Sequence, residues 1–242
     1  MTQLFTEQTY SNLEASEIHV WSASLDVPVL RFWRVLSPDE KIRAERYRFP
    51  DDVRSFIVRR GILRMLLGRY LNLAPGQIRL NYGKNGKPWV NEPSMRRKIH
   101  FNLSHSEGLA LYVFTFDDEI GVDIECIKDI PGIDQIAELY FTSGERQDLS
   151  SLPESEKKEE FFNIWTRKEA VLKAVGDGLS GPAEEFEVLM APAGSERLLG
   201  TAGTPVPASW WSIYDLKPGP GYSAAFAMKK PPGRVICWEW TD

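Results

Sequence analysis

Cysteine and histidine are scarce in this chain. Its 242 residues contain two cysteines, Cys126 and Cys237, and three histidines, His19, His100 and His105. Two cysteines build no disulfide framework and match no zinc-site spacing, so a reducing cytoplasm is the expected setting. Three scattered histidines leave little scope for a histidine metal cage. No uncharged apolar run reaches the roughly 18 residues needed to span a bilayer, so the sequence predicts no membrane helix. The opening stretch MTQLFTEQTYSNLEAS has no basic region followed by an apolar core, and does not read as a signal peptide. A G-x-S-x-G elbow is missing, and GKNGKP (83–88) lacks the GK[ST] ending of a phosphate-binding P-loop.

What is present is a soluble, globular composition with 43% hydrophobic and 26% charged residues, and an uneven charge. The net charge is −5, yet residues 41–69 hold nine basic side chains (Lys41, Arg43, Arg46, Arg48, Arg54, Arg59, Arg60, Arg64, Arg69) against three acids. Nine minus three makes that segment +6 and leaves −11 for the remainder. A local positive field in an acidic protein suits a phosphate-rich small ligand or an acidic protein partner. Nucleic acid fits less well, because the cations are not interleaved with stacking aromatics.

The pattern along the chain alternates strands and helices. EIHVWSASL (17–25) reads as a strand, and SPDEKIRAERYRF opens a helix with Ser37 as N-cap, Pro38 at the first position and Glu40 completing a capping box. A long helix follows over 53–71. QIRLNY and KPWVN flank Asn85-Gly86, a hairpin signal. KIHFNLSHS and LALYVFTF form a strand pair that bends near Gly108, and EIGVDIECI begins another strand. Short helices from Ile133 and Ser143 precede a long one ending near Val175. The tail holds four strand-like runs (FEVLM, WWSIYDL, GYSAAFAM, VICWEW), with 194–209 read as a long loop. Strand, helices, several strands: the order occurs twice. It predicts an α+β protein of two similar α/β halves, 1–118 and 119–242.

Three stretches can carry chemistry. In GVDIE, strand alternation puts Asp123 and Glu125 on one face, where a divalent cation would relieve their repulsion; Gly121 on that face leaves room for a ligand. Two unconnected acids on a solvated strand are the bland alternative. In FFNIWTRKEAVLKAVGDGL (161–179), Lys168 falls inside the apolar arc, while Glu169 and Lys173 stand four apart on an adjacent stripe. An exposed pair of that kind is worth a few tenths of a kcal/mol, and a snorkelling stem accounts for Lys168. VGDGL supplies a glycine C-cap. In HFNLSHS, His100, Asn102 and Ser104 share one side of a strand, and Phe101, Leu103 and His105 the other. His105 is either a ligand contact or a surface histidine.

Taken in order, GKP (86–88), FNLSHS (101–106), GVDIE (121–125) and the W-x-x-K-E-A helix resemble the 4′-phosphopantetheinyl transferases of the large, pseudo-dimeric class that includes surfactin-synthetase activators. The likeness is strongest over 83–182 and fainter over 37–64. It implies that Asp123, Glu125 and Glu169 bind Mg²⁺, with Lys173 against a pyrophosphate. It also implies that Lys87, Ser104 and His105 contact the nucleotide of coenzyme A, with a hydrogen bond from His105 to its 3′-phosphate that would raise the His105 pKa, and that Lys41, Arg43 and Arg54 lie near that phosphate, with Arg46 or Arg60 as substitutes.

The activity so implied moves the phosphopantetheine arm of coenzyme A to a serine of an acyl or peptidyl carrier domain and releases 3′,5′-ADP. Glu169, directly or through a metal-bound water, would take the serine proton, and Lys173 would act beside it. Carrier docking falls between Ile127 and Tyr140, where the apolar side chains equally suit a core. The resemblance also implies a monomer. A non-catalytic module that binds coenzyme A or a carrier is the alternative, and it has little need for three acids plus Lys173.

Overall fold

The computed structural model describes residues 12–91, 97–116, 118–176, 183–188, 196–200 and 211–241. Its first sheet is opened by strand β1 (Glu17–Ser24). Helices α1 (Leu30–Val35), α2 (Pro38–Glu45) and α3 (Pro50–Leu71) follow. Helix α2 starts where the sequence predicts: the Ser37 backbone N–H donates to Glu40 Oε2 at 3.0 Å, and Pro38 takes the first position, where no N–H is needed. Strands β2 (Leu80–Tyr82) and β3 (Pro88–Val90) make the expected hairpin, turned through Gly86 at φ +79°. Strands β4 (His100–Ser106) and β5 (Leu109–Thr115) pair antiparallel.

The second half begins with β6 (Ile120–Cys126), followed by α4 (Ile133–Tyr140), α5 (Ser143–Ser151) and the long α6 (Glu154–Val175), which ends on Gly176 as its C-cap. Strands β7 (Phe186–Val188), β8 (Glu196–Gly200), β9 (Ser212–Leu216), β10 (Tyr222–Met228) and β11 (Arg234–Glu239) complete the chain. The expectation of a loop over 194–209 is corrected in part, because Glu196–Gly200 forms β8 and pairs with both β7 and β9. Residues 201–209 lie outside the described residues, as do 189–195.

Two sheets result, ordered β11-β1-β5-β4 and β6-β10-β9-β8-β7. The α+β architecture of two α/β halves is therefore the one expected. The last strand crosses back: β11 runs parallel to β1 in the first half's sheet. Alternation along the strands sorts the core into three layers. Trp21, Tyr112 and Phe114 pack toward α3 with Phe56, Ile62 and Leu66. Ile18, Val20, Leu111, Val113, Val122, Ile124 and Phe226 meet in a cluster shared by the two sheets. Ala225 and Ala227 look the other way, into a cluster with Phe161, Ile164 and Leu172 of α6. One long helix thus covers the outer face of each sheet. Ile127, Ile130, Ile133, Ile136 and Tyr140 pack partly against the α6 cluster, while Leu139 is 68% exposed.

Side chains of β4 join the two sheets where they meet. Asn102 Oδ1 accepts from the Val122 N–H at 3.1 Å and Ser106 Oγ from the Cys126 N–H at 3.0 Å. Ser104 and Ser106 donate to Asp123 and Glu125, each at 2.8 Å. Polar residues at every second position of β4 therefore satisfy the edge of β6, which would otherwise present unpaired backbone groups.

Candidate active site

Among the described glycines, Gly121 has the least room for a side chain. A Cβ there would lie 2.1 Å from Ala170 O and 2.4 Å from Ala174 N. This corrects the sequence reading: Gly121 makes room for the backbone of α6, and no space for a ligand is left at that residue. Its consequence is functional. Helix α6 comes near enough to β6 for Lys173 Nζ to reach Asp123 Oδ1 at 2.5 Å and Ser104 Oγ at 2.9 Å.

The pair Glu169–Lys173 is accordingly no surface salt bridge. Lys173 turns to Asp123, and Glu169, 7% exposed, has no hydrogen-bond partner among the described residues. Burial, then the Asp123 charge, and to a lesser extent Glu125, push the Glu169 carboxyl up to about 7 against the pull of Lys173. Glu125 is raised too, by burial and by Asp123. The three acids thus feel one another, as expected for carboxylates facing one space. Asp123 Oδ2 is buried without a partner. That orphan oxygen and the all-oxygen donor set fit a hard divalent cation. Among the described residues no three such groups are gathered into a ready metal cage, and Lys173 supplies the positive charge at Asp123.

Lys168 has a different task. It is 2% exposed, pairs with Glu145 at 2.9 Å and donates to the carbonyls of Ala183 (2.8 Å) and Phe186 (2.5 Å). Glu145 also accepts from the backbone N–H groups of Thr142 and Val188, both at 2.8 Å. A single buried ion pair therefore ties α6, the start of α5 and β7 together. The snorkelling explanation is displaced.

A cleft of about 330 Å³ lies between the halves, lined by Arg43, Arg59 and Arg60 on one side and Glu169 and Lys173 on the other, with the hairpin residues Asn85–Pro88 between. Lys87 lines it, but its Nζ is held by Glu119 Oε2 (3.0 Å), Ile120 O and Ala174 O, and burial lowers its pKa. Glu119 also takes His100 at 3.1 Å and is held far below the usual carboxylate range, by that hydrogen bond first and by Lys87.

The remaining cations divide. Arg43 faces the cleft. Lys41 lies over the Trp33 ring, and Arg54 is paired with Asp26 at 2.6 Å; neither lines the cleft. Arg64 is 1% exposed and serves the fold, bonding Glu40, Pro75 O and Ile78 O. Sequence reasoning passed over Arg59, whose Nη1 lies 3.3 Å from His105 Nδ1. The only signal for it was its membership of the basic run.

His105 leaves β4 on the face opposite Ser104. Burial, then the Arg59 and Lys173 charges, push its imidazole down to about 4.

Glu169 and Lys173 of α6 thus face a wall of arginines across the cleft, and Lys173 is tied to Asp123 of β6. Residues 119–227 match the family model of the 4′-phosphopantetheinyl transferase superfamily, and residues 20–114 match that of the 4′-phosphopantetheinyl transferase N-terminal domain. The chain is 37% identical over 219 residues to the 4′-phosphopantetheinyl transferase HetI of Nostoc sp., covering 89% of each chain. It is 33% identical over 198 residues to 4′-phosphopantetheinyl transferase psf-1 of Bacillus pumilus, covering 81% of this chain and 80% of that one. To the 4′-phosphopantetheinyl transferase Sfp of Bacillus subtilis it is 28% identical over 202 residues, covering 83% and 85%. With both family models matched in order and the two halves meeting at such a cleft, the chain belongs to the 4′-phosphopantetheinyl transferase superfamily and is an enzyme of that class.

Proposed function

We propose that this enzyme transfers the phosphopantetheine arm of coenzyme A to a serine of an acyl or peptidyl carrier domain, in a Mg²⁺-dependent reaction that releases 3′,5′-ADP. The observation that carries the reading is that Glu169 and Lys173, the latter bonded to Asp123, line a cleft whose other wall is arginine-rich. Residues 1–118 would supply the cations for coenzyme A, and residues 119–242 the acids.

Asp123, Glu125 and Glu169 would hold the Mg²⁺. When bound, the ion supplies charge neutralisation at the diphosphate oxygens. Lys173 carries a fixed positive charge to the same diphosphate, held in place by Ser104 and Asp123. A serine hydroxyl is a weak nucleophile near neutral pH and needs a base. Glu169, directly or through a metal-bound water, would accept its proton. Lys87 holds the hairpin wall of the cleft through Glu119 and Ala174.

An acidic carrier would be drawn to the basic face of the N-terminal half. The two free cysteines, Cys126 and Cys237, suit a cytoplasmic enzyme, which we place there as a monomer. Among the described residues no helix is long and apolar enough to cross a membrane. The test is the mass of an apo carrier domain after incubation with coenzyme A and Mg²⁺. A gain of about 340 Da, the order of one phosphopantetheine arm, is expected from the wild type. None is expected after chelation or with Asp123→Ala. Undiminished gain with Asp123→Ala refutes the metal assignment.

A further inference from the structure

The tip of the β2–β3 hairpin reaches from the first half of the chain to the second. This hairpin belongs to neither large sheet. Its base is packed, with Val90 buried, but Tyr82 to Gly86 at the tip are exposed. Polar bonds tie the tip down. Asn85 Nδ2 donates to Gly176 O at 2.9 Å, and Lys87 Nζ donates to Ile120 O at 3.2 Å and Ala174 O at 3.3 Å. Ala174 O is one of the last carbonyls of α6, which find no partner along the helix, and a cation is favoured at that end.

Glu119, just before β6, supplies the counter-charge. Its Oε2 accepts from Lys87 at 3.0 Å, and its Oε1 lies 3.1 Å from His100 Nδ1 and 3.5 Å from Lys98 Nζ. A carboxylate only accepts, so Nδ1 of His100 carries its hydrogen. One carboxylate therefore gathers the hairpin, the start of β4 and the start of β6. The Lys87 side chain is only 18% exposed, and an ammonium so far out of water needs its partner. The Glu119 side chain is 43% exposed, open enough for the fold to tolerate its replacement.

Where the tip lies decides the shape of the cleft. Asn85, Lys87, Pro88 and Gly176 line both the cleft of about 330 Å³ and a second cavity of about 480 Å³. They are the partition between the two spaces, and a tip lifted from Gly176 would join them into one open groove. We propose that Glu119 is a positioning residue for the transfer: by pinning Lys87 it clamps the hairpin tip onto the end of α6 and keeps one wall of the coenzyme A cleft closed. The inference rests on the coenzyme A reading above. Lys173 is anchored separately, on Asp123 and Ser104, so the clamp acts on substrate binding and not on the transferred group.

The experiment joins amide hydrogen exchange on the full chain, without ligand, to steady-state kinetics of carrier modification. Glu119→Gln keeps the shape of the side chain and removes its charge. A two-stranded hairpin is marginal on its own in water, so a tip that leaves α6 exchanges its amides. Exchange over 79–90 should quicken about five- to ten-fold, the size of one charge-assisted contact weakened by partial exposure, while α3 and β5 keep wild-type rates. The KM for coenzyme A should rise about five-fold or more with kcat within about two-fold, the signature of lost binding that is equal in ground and transition states.

Asn85→Ala removes the bond to Gly176 O at an exposed position, and covers the case in which the Glu119 variant is unstable; it should move both readouts in the same direction. Wild-type exchange over 79–90 in both variants overturns the clamp. Faster exchange throughout the chain also overturns the proposal, because it marks Glu119 as a general stabiliser. So does a loosened hairpin with an unchanged KM, which would leave the clamp without a part in binding. Wild-type protein that modifies no carrier brings down the coenzyme A reading itself, a failure separate from that of the clamp, which hydrogen exchange reads without substrate.

Discussion

Replacing Gly121 by alanine adds one methyl where β6 and α6 meet backbone to backbone. The new Cβ would sit 2.1 Å from Ala170 O, 2.4 Å from Ala174 N and 2.9 Å from the Lys173 carbonyl carbon. Ordinary non-bonded contacts of carbon lie near 3.5 Å, so the helix must recede by about 1 Å or more. All three opposing atoms are backbone within a buried helix, and no side chain can swing aside. Overpacking of this kind costs about 1–3 kcal/mol. The catalytic cost should exceed the structural one. The receding segment carries both Glu169 and Lys173, and a ~1 Å misplacement of reacting groups can cost about a hundred-fold in rate. Denaturant unfolding gives the first quantity, and the rate of carrier modification gives the second. Gly76→Ala is the control: nothing lies within 4 Å of its Cβ, and it should be neutral in both assays. A Gly121→Ala protein as stable as wild type to within about 0.5 kcal/mol, with full turnover, would refute the claim that this glycine sets the approach of α6.

Lys173→Ala should cost stability as well as activity, about 2–4 kcal/mol, because it strands the buried carboxylate of Asp123; Mg²⁺ titrated into the variant should restore part of the loss in thermal melts, and a variant as stable as wild type without Mg²⁺ would refute the pairing. Lys168→Met should destabilise by about 3–5 kcal/mol in denaturant titrations, while coenzyme A binding by the folded fraction persists, since Lys168 joins α5, α6 and β7 away from the cleft. His19 gives a pH signature. The ring is fully buried against Glu17 and Tyr70, and burial holds it down to about 4 from an ordinary 6.5. Below about 6.5 the unfolded imidazole takes up a proton that the folded one refuses until about 4. Stability is therefore complete above that window and falls through it by an amount on the order of 3 kcal/mol. Melting temperatures from pH 7 to 4 should show the slope, and His19→Gln should flatten it; parallel curves would remove His19 as the cause.

Local order was written in the sequence wherever a short-range rule applied. The capping residues of α2, the Asn85-Gly86 turn, the glycine end of α6 and the alternation of β4 and β6 each depend on neighbours within a few positions. Family likeness added the acids on β6 and α6. What only the tertiary structure decided is which charges are spent and which are free. Arg64 and Lys168 look like their neighbours in sequence, yet burial turns both into struts. Lys173 pairs across to Asp123 and not along its own helix to Glu169, because Gly121 lets a strand 50 residues away come closer than the next turn. The return of β11 to the first sheet depends on a partner more than 200 residues away, β1, and no local pattern encodes it. Periodicity says which way a side chain points; whether anything waits there is settled by packing, since burial and pairing are properties of the assembled chain.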